Sequence, residues 1–271
     1  MIENPFFNTG NTEVPEALAM YLDALAGDPQ LVAIRECGLG MLAPIAGENI
    51  LEIGCGLGDV AAVLAGCVKP GGKVTGTDLC MPLIDEAVKR HSKQPGVTFV
   101  EADAHELPFE GCSFDGAWAE RVLMHVEDPL KVLAGISRVL RPGGRFIAME
   151  PDWGTVALDH PDVEATELIL GTWKKFIKNS WMGRQLPWLC KAASFEVEKA
   201  VVRSINWTEL ARADKAFKFE MLAMVSVSMG VPQETCDRWL DVLKDNAAKG
   251  RFFAFGNICL IKAVKPARSR G

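Results

Sequence analysis

The sequence predicts an α/β fold: a doubly wound, mostly parallel seven-stranded sheet carrying helical cap insertions. Three observations predict it. Short apolar strand candidates alternate with helical stretches from Asn49 onward, a glycine-rich turn follows the first strand, and Pro-Gly-Gly recurs at two helix-to-strand junctions.

Taken in order, the first 47 residues read as two helices, about 15–27 and 29–46, broken at Gly27-Asp28-Pro29. Strand candidates follow at 50–53, 73–77, 97–100, 114–118 and 145–149, each short and apolar, as strands covered on both faces are. Helices are predicted over 82–91 and 129–140. The second carries Leu130, Leu133, Ile136, Val139 and Leu140 at the spacing of one face. Pro70-Gly71-Gly72 and Pro142-Gly143-Gly144 each end a helix and open a strand. Strands alternating with helices imply right-handed crossovers. After Glu150 the rhythm changes to helices at 163–178 and 186–193, a strand at 197–205, a helical block at 208–249 and a closing strand at 252–264.

Composition narrows the function. The 271 residues are 49% apolar and 24% charged, with a net charge of −6, the balance of a globular protein. No basic block is available to displace phosphate counterions, which argues against a nucleic-acid partner; Lys265, Arg268 and Arg270 read as a solvated end. Met1-Ile2-Glu3-Asn4-Pro5 lacks the basic and apolar regions of a signal peptide, and the longest nearly uncharged stretch, 221–232, is too short for a membrane span. Eight cysteines are scattered without a CxxC pair, so neither a metal site nor a disulfide framework is expected, and the cytoplasm is the expected compartment.

The first strand runs into Glu52-Ile53-Gly54-Cys55-Gly56-Leu57-Gly58-Asp59. Glycines at a strand-to-helix turn accept positive φ and admit a ligand to the backbone. Dinucleotide-binding turns follow G-x-G-x-x-G; here the glycines fall at 54, 56 and 58, and Asp59 is a poor neighbour for a pyrophosphate but tolerable beside a cationic amino acid. A tight structural turn is the plain alternative. The later strand ends add weight, because Asp78, Asp103 and Glu120 close the second, third and fourth strands at the edge where open α/β sheets bind ligands. A carboxylate beside the turn can accept bonds from vicinal ribose hydroxyls.

On these residues, 49–152 resembles the core of class I S-adenosylmethionine-dependent methyltransferases, in particular the ubiquinone/menaquinone-methyltransferase-like group acting on small molecules. The matching motifs are the glycine turn, Asp78, Ala102-Asp103-Ala104 with Leu107-Pro108-Phe109, Ser113-Phe114-Asp115, His125-Val126-Glu127-Asp128-Pro129, and Arg138-Val139-Leu140-Arg141-Pro142-Gly143-Gly144. The resemblance implies S-adenosylmethionine as cofactor and a strand order 3-2-1-4-5-7-6 with the last strand antiparallel. It implies that Gly54, Cys55, Gly56 and Gly58 lie against the amino-acid part of the cofactor, with Glu52 counted beside them. Asp78 would hold the ribose, Leu79 pack on adenine, Asp103 and the Ala104 N–H read its edge, and Glu120, Arg121 and Val122 face the sulfonium. One domain over 1–271 is expected: an N-terminal helical cap (1–47), a cofactor-binding core (48–152), helical cap segments (153–194 and 208–249) and final strands (195–207 and 251–264).

The expected activity is methyl transfer to a small, largely apolar or aromatic molecule, an in-line displacement for which positioning is the main requirement and a base is optional. His125, just after the fourth strand, and His160, after the fifth, are the candidate catalytic histidines, with Glu150 and Asp152 as further bases. Six of seven tryptophans follow the fifth strand, and Trp153, Trp181 and Met224 are candidate acceptor contacts in an aromatic cap, although helical insertions also need large core residues. A non-catalytic S-adenosylmethionine-binding or interaction module and a nicotinamide-dependent oxidoreductase are the alternatives.

Overall fold

A computed structural model describes residues 16–267. Strand β1 (Asn49–Ile53) pairs in parallel with β2 (Lys73–Asp78) and with β4 (Phe114–Glu120). Strand β2 pairs in parallel with β3 (Val97–Glu101), and β4 with β5 (Leu140–Leu158). Strand β7 (Ala254–Val264) is antiparallel to both β5 and β6 (Glu196–Trp207). The sheet is therefore mixed, in the order β3-β2-β1-β4-β5-β7-β6. Its centre is apolar: Ile50, Leu51, Ala117, Trp118, Phe146 and Ile147 are all fully buried. Burying such side chains removes apolar surface from water at about 25 cal/mol per Å², which explains why the central strands read as unbroken apolar runs.

Helices α1 (Glu16–Ala26) and α2 (Pro29–Leu42) precede the sheet. Asp28 caps α2 by accepting from the N–H groups of Gln30 and Leu31, and Pro29 occupies the first turn, where its missing N–H costs nothing. Pro15, expected to open α1, lies outside the described residues, as do Arg268 and Arg270. Lys265 is not a solvated end: its Nζ donates to the Leu140 carbonyl at 2.7 Å. Helices α3 (Asp59–Cys67), α4 (Met81–Arg90) and α5 (Pro129–Val139) link the core strands. In α5, Val132, Leu133, Ile136 and Val139 are buried, whereas Leu130 stays exposed.

Beyond β4 the boundaries move. Strand β5 runs on to Leu158 instead of ending at Met149, with an irregularity between Asp152 and Ala157 before it rejoins β7. Gly154 sits in that stretch, whereas Pro151 still pairs with Ile258 of β7. Helix α6 spans Val163–Phe176, capped by Asp162. Helix α7 spans Met182–Ala192, starting ahead of the expected 186, and contains Pro187. The block at 208–249 resolves into α8 (Leu210–Phe217), α9 (Phe219–Ser228) and α10 (Gln233–Ala248). Lys218 in the left-handed region separates the first two, and Gly230 with Pro232 separates the last two. Among the described residues, no helix is long and apolar enough to cross a membrane.

Candidate active site

The carboxyl ends of β1, β2 and β4, with the chain leaving β3, open into a cavity of about 450 Å³. Gly54 and Gly56 form its floor. Both have positive φ, +66° and +53°. A Cβ on Gly54 would lie 2.3 Å from Val122 Cγ2, so this glycine lets the turn after β4 pack against the turn after β1. A Cβ on Gly56 would meet nothing nearer than Leu22 Cδ1 at 3.8 Å, leaving room for a ligand against the backbone. Gly58 serves packing instead, since it precedes α3 and a Cβ there would strike Phe99 at 2.5 Å.

Asp78 closes β2 at the cavity wall. Its Oδ2 accepts from the Gly56 N–H at 2.9 Å and its Oδ1 from the Cys80 N–H at 3.0 Å, tying the strand end to the glycine turn. Burial raises its pKa against these bonds. Asp103 caps the 3₁₀ turn Ala104–Glu106. Burial opposes its charge, but bonds from the His105 N–H and ring outweigh this and hold the carboxyl below its usual range. Leu79, Asp103, Ala104, Glu120, Arg121 and Val122 all line the same cavity. Glu52, Cys55 and Gly58 do not: Glu52 and Cys55 are buried behind the turn, where desolvation pushes both pKa values well up. They shape the loop from below.

Arg121 follows β4 in the left-handed region, φ +56°. Glu120 before it is held by Arg35 of α2 through paired bonds of 2.8 Å to each oxygen. The guanidinium also donates to the Ala26 carbonyl, so one side chain joins the end of α1 to the cavity edge. Glu150, fully buried on β5, accepts from the Val122 and Leu123 N–H groups at 2.9 and 2.7 Å. Desolvation raises its pKa to about 8 despite those bonds, so it is protonated at neutral pH and serves as a brace for the post-β4 turn rather than as a base. His125 lines the cavity; burial, with Arg121 and Lys178 nearby, lowers its pKa to about 4.

Several sequence candidates fall elsewhere. His160 is buried outside the cavity, stacked on Trp239, with its Nδ1 accepting from the Asp162 N–H at 3.0 Å and its Nε2 3.2 Å from the Trp239 carbonyl. It holds α6 to α10 and does not reach the site. Asp152 is engaged by Arg184 at 2.5 and 2.8 Å. Trp181 and Met224 are half exposed and absent from the lining, whereas Trp153 belongs to it. The large apolar lining is instead Trp153, Trp173, Phe176 and Met221, with Leu18, Tyr21 and Leu22 of α1 in the same cavity. Sequence reasoning missed Tyr21 and Arg35. Tyr21 is the chain's sole tyrosine, a signal that could have drawn attention; Arg35 carries none, because its partner is 85 residues away.

Fold and cavity together define an open α/β sheet whose strand ends, with Asp78 and Asp103 among them, border one cavity. A family model described as a methyltransferase domain matches residues 51–148. An uncharacterized 37.1 kDa protein in transposon TN4556 of Streptomyces fradiae is 35% identical over 252 residues, covering 92% of this chain and 72% of that protein. A demethylmenaquinone methyltransferase of Clavibacter sepedonicus is 38% identical over 109 residues, 40% of this chain and 43% of that enzyme. Among solved structures, phosphoethanolamine N-methyltransferase 2 of Haemonchus contortus in complex with S-adenosyl-L-methionine shares the fold, with a TM-score of 0.60 at 19% identity over 98% of this chain and 60% of that one. The chain belongs to the S-adenosylmethionine-dependent methyltransferases.

Proposed function

We propose that the methyl acceptor is a small, flat, largely apolar molecule that occupies the same cavity as the cofactor, against Trp153, Trp173, Phe176 and Met221. The co-location of this wall with the Gly56–Asp78 edge in one cavity carries the reading. The residues fit the cofactor: Gly56 leaves its backbone open, and Asp78 presents a carboxylate beside it. Gly54, Gly56, Asp78, Leu79, Asp103 and Ala104 would hold it, with Glu120, Arg121 and Val122 toward the reacting end. When bound, S-adenosylmethionine supplies an electrophilic methyl group on a sulfonium, open to in-line displacement by an acceptor lone pair.

The chain's own contribution is positioning and exclusion of water. Helices α1, α6 and α9 act as the cap over the strand ends, since each contributes a cavity residue (Tyr21, Trp173 and Met221) and each lies outside the core strands. His125 stays neutral through the physiological range, and its low pKa makes it a weak proton acceptor; its role is to orient the acceptor rather than to ionise it.

Turnover of methyl-labelled S-adenosylmethionine against a panel of aromatic and aliphatic acceptors tests this directly. Trp153→Ala and Met221→Ala should raise the acceptor KM and leave S-adenosylhomocysteine affinity nearly unchanged, while Trp181→Ala and Met224→Ala change neither. Cofactor binding without turnover of any acceptor would favour a non-catalytic binding module.

A further inference from the structure

We infer that Arg35 is a positioning residue for cofactor binding: from α2 it pins the last turn of α1 to Glu120, and so sets the helix that covers the Gly56 turn. This rests on the reading that S-adenosylmethionine lies against that turn, and it goes further by assigning a role to a side chain outside the cavity.

Helix α1 does not hold its place by helix formation alone. Its 11 residues are fewer than an isolated helix needs in water, and the carbonyls of its last turn have no partners within the helix. Apolar packing on α2 and α8, with Leu25 buried, supplies part of what it lacks. The Asp23–Arg90 pair at 2.6 Å joins side chains that are 48% and 28% exposed, so water and salt screen it. The buried polar ties come from two arginines. Arg35 Nη1 donates to the Ala26 carbonyl at 2.8 Å and Nη2 to the Leu25 carbonyl at 3.4 Å, while Nε and Nη2 each reach a Glu120 oxygen at 2.8 Å. Arg121, the next residue after Glu120, bonds the Tyr21 hydroxyl in the middle of α1. Consecutive residues at the end of β4 therefore hold α1 at two points.

The first of these points depends on the shape of arginine. A guanidinium forks onto a carboxylate and still has donors for two carbonyls, whereas an ammonium is a single point of charge. Both partners are largely buried, with Arg35 14% and Glu120 7% exposed, so the bonds are made away from bulk water. What they hold matters to the ligand. Leu18, Tyr21 and Leu22 of α1 line the cavity, and Leu22 Cδ1 stands 3.8 Å from where a Cβ on Gly56 would be. The seating of α1 thus sets the gap between Leu22 and the glycine backbone. Arg35 lines none of this space and acts on it through Glu120 and α1.

Amide hydrogen exchange of the free protein and stopped-flow binding of S-adenosylhomocysteine test this on the wild type, Arg35→Lys and Arg35→Met. Lysine leaves a positive charge beside Glu120, so that variant keeps its fold, but it cannot span the carboxylate and both carbonyls. In Arg35→Lys, exchange through α1 should quicken about tenfold with β1 and β4 unchanged, and S-adenosylhomocysteine should dissociate about tenfold faster. Arg35→Met should exceed both changes; should it not fold, Arg35→Lys decides alone. Three results would overturn the inference: α1 protection in Arg35→Lys equal to the wild type, dissociation within about twofold of the wild type, or faster exchange spread equally over β1 and β4, which marks general destabilisation. Failure of S-adenosylhomocysteine to bind the wild-type protein would instead overturn the cofactor placement beneath it, and the exchange of α1 reads the pin without any ligand.

Discussion

Replacing Glu150 by glutamine should flatten the dependence of stability on pH. The wild-type carboxyl is fully buried, its Oε1 accepts two N–H bonds, and its Oε2 has no partner among the described residues. Its pKa is about 8, against 4.5 for an ordinary glutamate. The folded state therefore holds a proton that the unfolded chain has released between those two values. Its stabilising contribution is complete below pH 4.5 and is lost as pH rises through 8. The interval is about 3.5 units, and at about 1.4 kcal/mol per unit the loss is on the order of 4 kcal/mol. Glutamine keeps an oxygen for Val122 and Leu123 and has no proton to lose. Urea unfolding of both proteins at a series of pH values measures this. The wild type should lose stability relative to Glu150→Gln by about 4 kcal/mol between pH 4.5 and 8, and the curves should run parallel above that. Parallel curves throughout would refute the assignment of a protonated brace.

Two other substitutions separate binding from scaffolding. Gly54→Ala should impair S-adenosylhomocysteine binding by about 5- to 150-fold, roughly 1–3 kcal/mol, because the left-handed backbone is strained by any Cβ and Val122 must move; calorimetric titration reads it, and undiminished affinity would show that this turn does not touch the ligand. His160→Ala should cost about 2–4 kcal/mol of folding stability, since it unstacks Trp239 and leaves the Asp162 N–H without its acceptor, yet leave the turnover of folded protein unchanged. A collapse of turnover with unfolding unaffected would make it a chemical residue after all.

The core was legible because each of its signals is local. A buried strand announces itself as an apolar run, and a carboxylate at a strand end has its location set by the strand alone, so Asp78, Asp103 and Glu120 reach one cavity with Gly54 and Gly56. The acceptor side was not legible in the same way, because helical spacing does not say which face meets a cavity. Met221 and Met224 share α9 only three residues apart, yet one lines the cavity and the other is 59% exposed. Histidine type was equally silent on position: His160 follows β5 closely in sequence, but the extension of that strand to Leu158 carries it away to Trp239. Arg35 and Glu120 had no shared signal, because only the packing of α2 against the sheet brings them together.

The central claim is that the cavity at the ends of β1, β2 and β4 is where S-adenosylmethionine binds, with Asp78 as its charged acceptor. Calorimetric titration of the wild type and of Asp78→Ala with S-adenosylhomocysteine tests it most directly. One equivalent should bind to the wild type, and the substitution should weaken it by roughly 1–3 kcal/mol, about 5- to 150-fold, by removing charge-assisted bonds to the ligand. Equal affinity in the two proteins would contradict the claim.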